Sequence, residues 1–372
     1  MLTMRAAVAY AAGEPLVIED VQLDAPESGE VLVRVAAGGV CRSDWHVMHG
    51  DWPSPMPIVL GHEAAGTVED VGPNVRAVQP GDPVILSFAP FCGRCARCLS
   101  GSPHLCSTMR AEPGHLLPGG FARLHKNGQR IYHFAGTASF AEFTVVHESC
   151  VIPIHRDVPL EMAALVGCSV TTGVGAVVNT ARVTAGSSVA VIGCGGVGLN
   201  VIQGARLVSA DRIIAVDVRD ESLAFARRFG ATDTVNARAD DAVAAIRDLT
   251  GGGADYAFEA LGTVATIRSA VDAVRPGGMA VLVGMTAFGE EARLDAFTLT
   301  HQEKTVKGCF YGSARTRIDM PMLVRLAQAG RLDVGGLVTR RSPLAEINQA
   351  YAALASGAGR GLIVFDREAA TR

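Results

Sequence analysis

The chain has 372 residues, 49% hydrophobic and 19% charged, enough for two or three domains of about 150 residues each and too apolar for wholesale disorder. Its 33 Lys+Arg against 37 Asp+Glu give a formal charge of −4, which argues against a general nucleic-acid partner or attachment to a membrane by a polybasic surface. Nine cysteines, an odd number in a long, core-rich chain, fit a disulfide framework poorly.

The opening MLTMRAAVAY has no sustained apolar stretch, and no run of about 20 uninterrupted apolar residues follows it. A cytoplasmic protein with reduced thiols and no membrane partner is therefore expected. Residues 1–150 hold short strand-like runs, EVLVRVAAGGV, GTVEDVG, DPVILSF and AEFTVV, broken by Gly and Pro. They predict a β-rich, barrel-like domain.

Within that segment lie Cys41, in GGVCRSDWHV, and His62, in LGHEAAGTV; Cys168 follows much later in ALVGCSVTTGVGA. Taken singly, the cysteines read as small buried hydrophobes and His62 as a satisfied interior histidine. Asp44 and Glu63, beside Cys41 and His62, supply carboxylates able to orient a ligating imidazole. The run FCGRCARCLSGSPHLC is more specific. Cys92, Cys95, Cys98 and Cys106 fall as C-x2-C-x2-C-x7-C, with Gly93 and Gly101 at the turns and Arg94 and Arg97 near the thiolates. Four thiolates at that spacing close a tetrahedron around zinc and leave no open position, the mark of a structural site. A redox C-x-x-C pair would need a thioredoxin-like βαβ context, which is lacking. Cys150, Cys194 and Cys309 have no partner at such spacing.

The run SVAVIG reads as a buried parallel strand, and GLNVIQGARLVSA after it has helical spacing. Between them Gly193, Gly195, Gly196, Val197 and Gly198 make G-x-G-x-x-G in its proper context. Gly193 permits the tight turn, Gly195 lets backbone approach a pyrophosphate, and Gly198 lets helix and strand pack closely. The helix N-terminus offers free amides to the phosphates. Asp217, closing RIIAVD, is placed to accept both ribose hydroxyls and to repel a 2′-phosphate, favouring NAD; Arg219 nearby is able to tolerate that phosphate.

Beyond it, ESLAFARRFG, DDAVAAIRDLTGGG and TVATIRSAVDAVRPGG read as helices, the last ended by Pro276 and Gly277. TDTVN, ADYAFEAL, MAVLVGM and TVKGCFYG read as the strands between and after them. The alternation predicts an α/β, doubly wound parallel sheet. Two further helices, MPMLVRLAQAG and AEINQAYAALASG, precede a last strand, GLIVFD, in a tail expected to complete the first domain.

Taken together these residues resemble the zinc-dependent alcohol dehydrogenases of the medium-chain dehydrogenase/reductase superfamily, along nearly the whole chain from GEVLVRVAAGGVCRSD to GRGLIVFD. The resemblance implies a Rossmann domain over 170–310 and a discontinuous, GroES-like catalytic domain over 1–169 and 311–372. It implies two zinc ions per chain. Cys41, His62 and Cys168 match the catalytic ligands, with water or alcohol in the open position, and the four-cysteine run matches the structural site. Polyol- and threonine-type relatives commonly carry a carboxylate at the place of Cys168, so the match leans to alcohols.

Ser43 and His46 match the proton relay, and Asp44 and Glu63 the groups behind the zinc ligands. Arg42 and Arg360 match residues on the cofactor pyrophosphate, and Thr172 and Val197 residues packed on the nicotinamide. Phe88 and Phe134 match pocket-lining positions. The implied reaction interconverts an alcohol with its aldehyde or ketone on NAD. The alternative is oxidation of an S-hydroxymethyl thiol adduct, as in formaldehyde-oxidising relatives, with the loop from Arg110 to Arg130 at the entrance. A homodimer or homotetramer acting on a small molecule is implied.

Overall fold

In the computed structural model, residues 1–109, 115–354 and 359–365 are described; Arg110, the first residue of the expected entrance loop, lies outside them. Five strands close a barrel in the order Leu2–Ala9, Val17–Leu23, Leu124–Lys126, Gln129–His133 and Ile58–Val59. Closure removes the free edges that short strands would otherwise expose. A second sheet is built around Glu30–Gly39. Its alternation buries Val31, Val33 and Val35 on one face while Leu32 and Arg34 point the other way. This strand pairs with Ala64–Val71, with Phe143–His147, and with Arg360–Val364 from the far end of the chain. The tail thus returns to the first sheet system, and Leu362 sits opposite Gly39, just before Cys41.

The third sheet has six parallel strands in the order Asp233–Asn236, Arg212–Asp217, Ser188–Ile192, Ala254–Glu259, Val274–Leu282, Thr305–Gly308. Order reverses beside Ser188–Ile192, the point where such sheets bind ligands. That strand is apolar throughout because both faces are covered. Val189 and Val191 pack into one cluster and Ala190 and Ile192 into another. The helices Asp220–Phe229 and Ala242–Thr250 end at Gly230 and Gly251 as expected, both left-handed at φ +117 and +68.

Three elements differ from the sequence expectation. The helix expected to stop at Pro276 ends at Ala273, and Pro276 lies inside the strand Val274–Leu282. A proline is tolerated there because the ladder is interrupted between the pairs Ala254/Val274 and Tyr256/Met279. The strand expected over TVKGCFYG stops at Gly308, since Tyr311, Gly312 and Ser313 all take positive φ and turn the chain back onto Thr171. The third is a helical run over Leu160–Ala181, which contains two π-turns at Val166–Val170 and Ala176–Ala181. It is long and apolar enough to cross a membrane, but 83% of its most apolar window is buried inside the protein. It is a core helix, and the expected domain boundary at 169/170 falls within it.

Candidate active site and metal centres

Three distant segments deliver the first cluster. The strand Glu30–Gly39 runs out into Cys41, which caps the short helix Arg42–Met48. His62 follows Gly61, whose φ of +93 and close approach to Phe140 N (2.7 Å from an added Cβ) admit only glycine. Cys168 sits on the π-turn of the core helix, a distortion common at functional sites. One ligand atom from each of Cys41, His62 and Cys168 lies within 4.8 Å of the others, and all three residues are buried. Nε2 of His62 is buried with no hydrogen-bond partner.

The protons around this cluster are arranged for a cation. Cys168 donates to Cys41, which holds Cys41 well below the usual thiol range although burial opposes it, and pushes Cys168 well above. Two sulfurs and an imidazole nitrogen brought this close in a buried place offer a divalent cation three donors at one point. Burial works to lower His62, but the charges of Asp44 and Cys41 outweigh it and leave the imidazole raised. Nδ1 of His62 bonds Oδ1 of Asp44 at 3.2 Å, an oxygen that also accepts from Gly61 N at 2.9 Å. The second nitrogen is thereby turned towards the cysteines. Two sulfurs, one imidazole and an outer carboxylate are the donor set of a catalytic zinc site with one position open.

Glu63 lies behind this cluster. Its Oε1 accepts from Ser169 N at 2.8 Å, and its Oε2 is ion-paired with the buried guanidinium of Arg360. Gly39 is required here, since a Cβ would come within 2.2 Å of Glu63. Arg360 also covers Gly196, where an added Cβ would meet its Cδ at 2.3 Å. One side chain thus joins the cysteine–histidine cluster to the glycine turn.

That turn has the geometry its sequence implies. Gly193 stands at φ +96, a Cβ on Gly198 would lie 1.8 Å from the Gly193 carbonyl oxygen, and Gly195 has open space before it. Asp217 closes its strand and accepts from Cys194 N at 2.9 Å and from Arg219 N at 3.1 Å. The Arg219 guanidinium stands 3.7 Å from it.

One cavity of about 520 Å³ joins all of these parts. Its walls include Cys41, His62 and Cys168, with Arg42, Ser43, His46 and Thr172 beside them and Gly193, Gly195, Gly196, Val197, Asp217 and Arg360 at the nucleotide end. Gly198 and the carboxylates Asp44 and Glu63 support the wall from behind. Ser43 Oγ lies 3.8 Å from Cys41 Sγ. Phe88 and Phe134 flank the His62 ring edge-on, with centroids at 5.2 and 5.5 Å.

Sequence reasoning missed four residues here. Asp51 bonds His46 Nδ1 at 2.8 Å, and Trp52 stacks on the same ring at 4.7 Å while its indole N–H donates to Thr286 O across the cleft. The motif HGDWP just after His46 carried that signal. Phe310 and Tyr311 extend the aromatic wall, Tyr311 lying 3.8 Å from Phe88. Their closeness depends on the turn that ends the last parallel strand, which had no sequence signal.

Cys92, Cys95, Cys98 and Cys106 form a second cluster with sulfurs within 4.8 Å of one another. Backbone amides point at the sulfurs: Cys95 N meets Cys92 Sγ at 3.3 Å and Cys92 N meets Cys106 Sγ at 3.3 Å. Amide donors lower Cys95 to about 5 and Cys92 to about 7. Burial and the Cys95 sulfur push Cys98 up to about 12, and four sulfurs this close together fit a closed zinc site.

Residues 27–156 match the alcohol dehydrogenase GroES-like domain family, and residues 196–329 match the zinc-binding dehydrogenase family. The S-(hydroxymethyl)glutathione dehydrogenase of Saccharomyces cerevisiae is 42% identical over 361 residues, covering 95% of this chain and 93% of that protein. Among solved structures, an alcohol dehydrogenase zinc-binding domain protein from Burkholderia ambifaria is 38% identical with a TM-score of 0.92, covering 98% of this chain and 99% of that one. Benzyl alcohol dehydrogenase from Acinetobacter calcoaceticus is 33% identical with a TM-score of 0.90, covering 98% and 100%.

Proposed function

The chain belongs to the zinc-dependent alcohol dehydrogenase family, an NAD-dependent oxidoreductase family, and from that premise we propose that it interconverts a primary alcohol of apolar or aromatic character with its aldehyde. The observation that carries this reading is the single cavity in which the cluster Cys41, His62 and Cys168, the pair Ser43 and His46, and the glycine turn all face one another. When bound, zinc supplies Lewis-acid polarisation of the substrate oxygen and NAD supplies the hydride acceptor.

The chain's own residues do the rest. Ser43 Oγ takes the hydroxyl proton within a hydrogen-bonded chain, since an isolated serine is a poor base. His46, its Nδ1 engaged by Asp51, has Nε2 left to receive that proton and pass it to solvent. Thr172 and Val197 orient the nicotinamide, and Arg42, Arg360 and the Gly193–Gly198 turn hold the pyrophosphate. Phe88, Phe134, Phe310 and Tyr311 exclude water beside His62, which strengthens every electrostatic interaction there. Assembly as a homodimer or homotetramer, and a catalytic unit of 1–169 with 311–372 around a nucleotide unit of 170–310, belong to the same proposal.

A second reading is favoured by the relative from S. cerevisiae, whose name specifies an S-(hydroxymethyl)glutathione substrate. A panel of alcohols and aldehydes, followed by nicotinamide absorbance with and without added glutathione, separates the two. Benzylic and aliphatic primary alcohols are expected to turn over without thiol. Turnover of formaldehyde only when thiol is present would move the assignment to the second reading, and no turnover of any compound would reject both.

Asp217 sets the expected coenzyme choice. Asp217→Asn keeps one oxygen, able to accept from Cys194 N or from Arg219 N but not from both as the carboxylate does, and removes the charge that repels a 2′-phosphate. The ratio of kcat/KM for NADP to that for NAD should rise roughly tenfold, about 1.4 kcal/mol. An unchanged ratio rejects the ribose role.

A further inference from the structure

Behind the catalytic cluster one buried group has no part in the chemistry described so far. Tyr351 lies on the helix Ile347–Leu354 of the returning tail, 1% exposed, among Val40, Phe140, Ile347 and Ile363. Its ring meets Phe140 edge-on with centroids 6.0 Å apart. An apolar cluster has no use for a phenol oxygen, and phenylalanine would fill the same space without burying a hydroxyl. Yet Oη of Tyr351 is fully buried and has no hydrogen bond of standard geometry.

A matching vacancy of partners exists on Asp44. Its Oδ1 is taken by Gly61 N at 2.9 Å and His62 Nδ1 at 3.2 Å, whereas its Oδ2 is buried and also lacks a conventionally aligned partner. The two groups are neighbours in the fold, since Gly61, which donates to Asp44, lies against Phe140, the ring that Tyr351 meets; after burial itself, the Asp44 charge does most to hold the phenol proton in place, and a side-chain hydrogen bond to Asp44 adds to it. Cys41 and Arg360 are the other charged groups that the phenol senses.

We propose that Tyr351 is a positioning residue for the catalytic metal: its hydroxyl donates to Oδ2 of Asp44 and fixes the carboxylate that in turn holds His62. With Tyr351 in place, Oδ1 is committed to Gly61 and His62, and the carboxylate cannot rotate to trade one oxygen for the other. The imidazole plane is set from three bonds away. Outer groups of this kind orient a ligand and raise its basicity, and losing one typically costs about 10–100-fold in metal affinity. The tail of the chain thereby contributes to a site whose ligands all come from residues before 170.

The inference rests on Cys41, His62 and Cys168 holding zinc, and its test has a control for that. In Tyr351→Phe the ring and its packing remain and only the oxygen is lost. Purified protein is challenged with a chromogenic chelator and zinc release is followed in two phases. The catalytic zinc is expected to leave about tenfold faster than in the parent, at the low end of the range for outer-group losses, with the four-cysteine zinc unaffected. On an Asp44→Asn background the same substitution should add little, because the phenol acts through that carboxylate.

Release of the catalytic zinc at the parental rate overturns the proposal. So does an undiminished effect of Tyr351→Phe on the Asp44→Asn background, or parallel acceleration of both phases, which would mean a loosened fold. A parent protein that binds one zinc instead of two would overturn the site assignment itself, a result distinct from all of these.

Discussion

Replacing Cys168 with alanine is expected to lower kcat by about 10³-fold or more while the fold and NADH binding persist. Cys168 is 6% exposed on the core helix, and truncating a thiol to a methyl removes little packing there. Its chemical role is larger. Its sulfur lies within 4.8 Å of a ligand atom on each of Cys41 and His62, all three residues buried. Removing one sulfur leaves a two-ligand site, too few to hold a catalytic zinc. Lewis-acid stabilisation is worth several kcal/mol, and about 4 kcal/mol corresponds to roughly three orders of magnitude in rate. The glycine turn and Asp217 lie on a separate sheet and should bind NADH as before. The measurement is steady-state turnover beside zinc content and NADH fluorescence: zinc should fall from two per chain to one. Full activity with two zincs retained would end the assignment of Cys168 as a ligand.

The parts of this site that were legible in the sequence are those whose chemistry is local. Gly193 and Gly198 answer to constraints within six residues of chain, a positive φ and a contact with the Gly193 carbonyl. The four-cysteine run is likewise closed within one loop. Cys41, His62 and Cys168 come from a strand exit, a turn and a core helix, so spacing alone left them open and only the resemblance joined them. The core helix Leu160–Ala181 escaped notice for a related reason. It is buried on nearly all sides, so its apolar residues show no amphipathic period. Asp51, five residues after His46 in HGDWP, belongs with the local features and carried a signal of its own. Tyr311 and Tyr351 reach the site only through tertiary packing, one by a positive-φ turn and the other by the return of the tail. No pattern within their own segments reports that.

The second large effect is expected at the four-cysteine lobe, and it should fall on local stability before turnover. Cys106→Ser should cost the lobe its zinc and open residues 92–109, with the rest of the protein still folded. The lobe has almost no core of its own. Its helix, Ala96–Leu99, buries no side chain, and Leu99 is 76% exposed. Among the described residues, none of those from 92 to 109 belongs to the five apolar clusters that hold the molecule together.

What remains to order the lobe is the sulfur cluster and the amides around it. Cys106 is its most buried member, accepting from Cys92 N at 3.3 Å and Met109 N at 3.5 Å, with Cys95 Sγ at 3.8 Å. Serine presents a harder, shorter ligand and breaks the tetrahedron. Structural zinc in small domains contributes on the order of 10 kcal/mol to folding, far beyond what exposed turns supply by themselves. Limited proteolysis with mass spectrometry reads the result: Cys106→Ser should be nicked between residues 92 and 109, with zinc content down from two to one and NADH binding kept. A lobe that resists protease after losing its zinc would show that its fold does not depend on the metal. Global unfolding in the same experiment would place the lobe within the cooperative core, against the separation of clusters seen here.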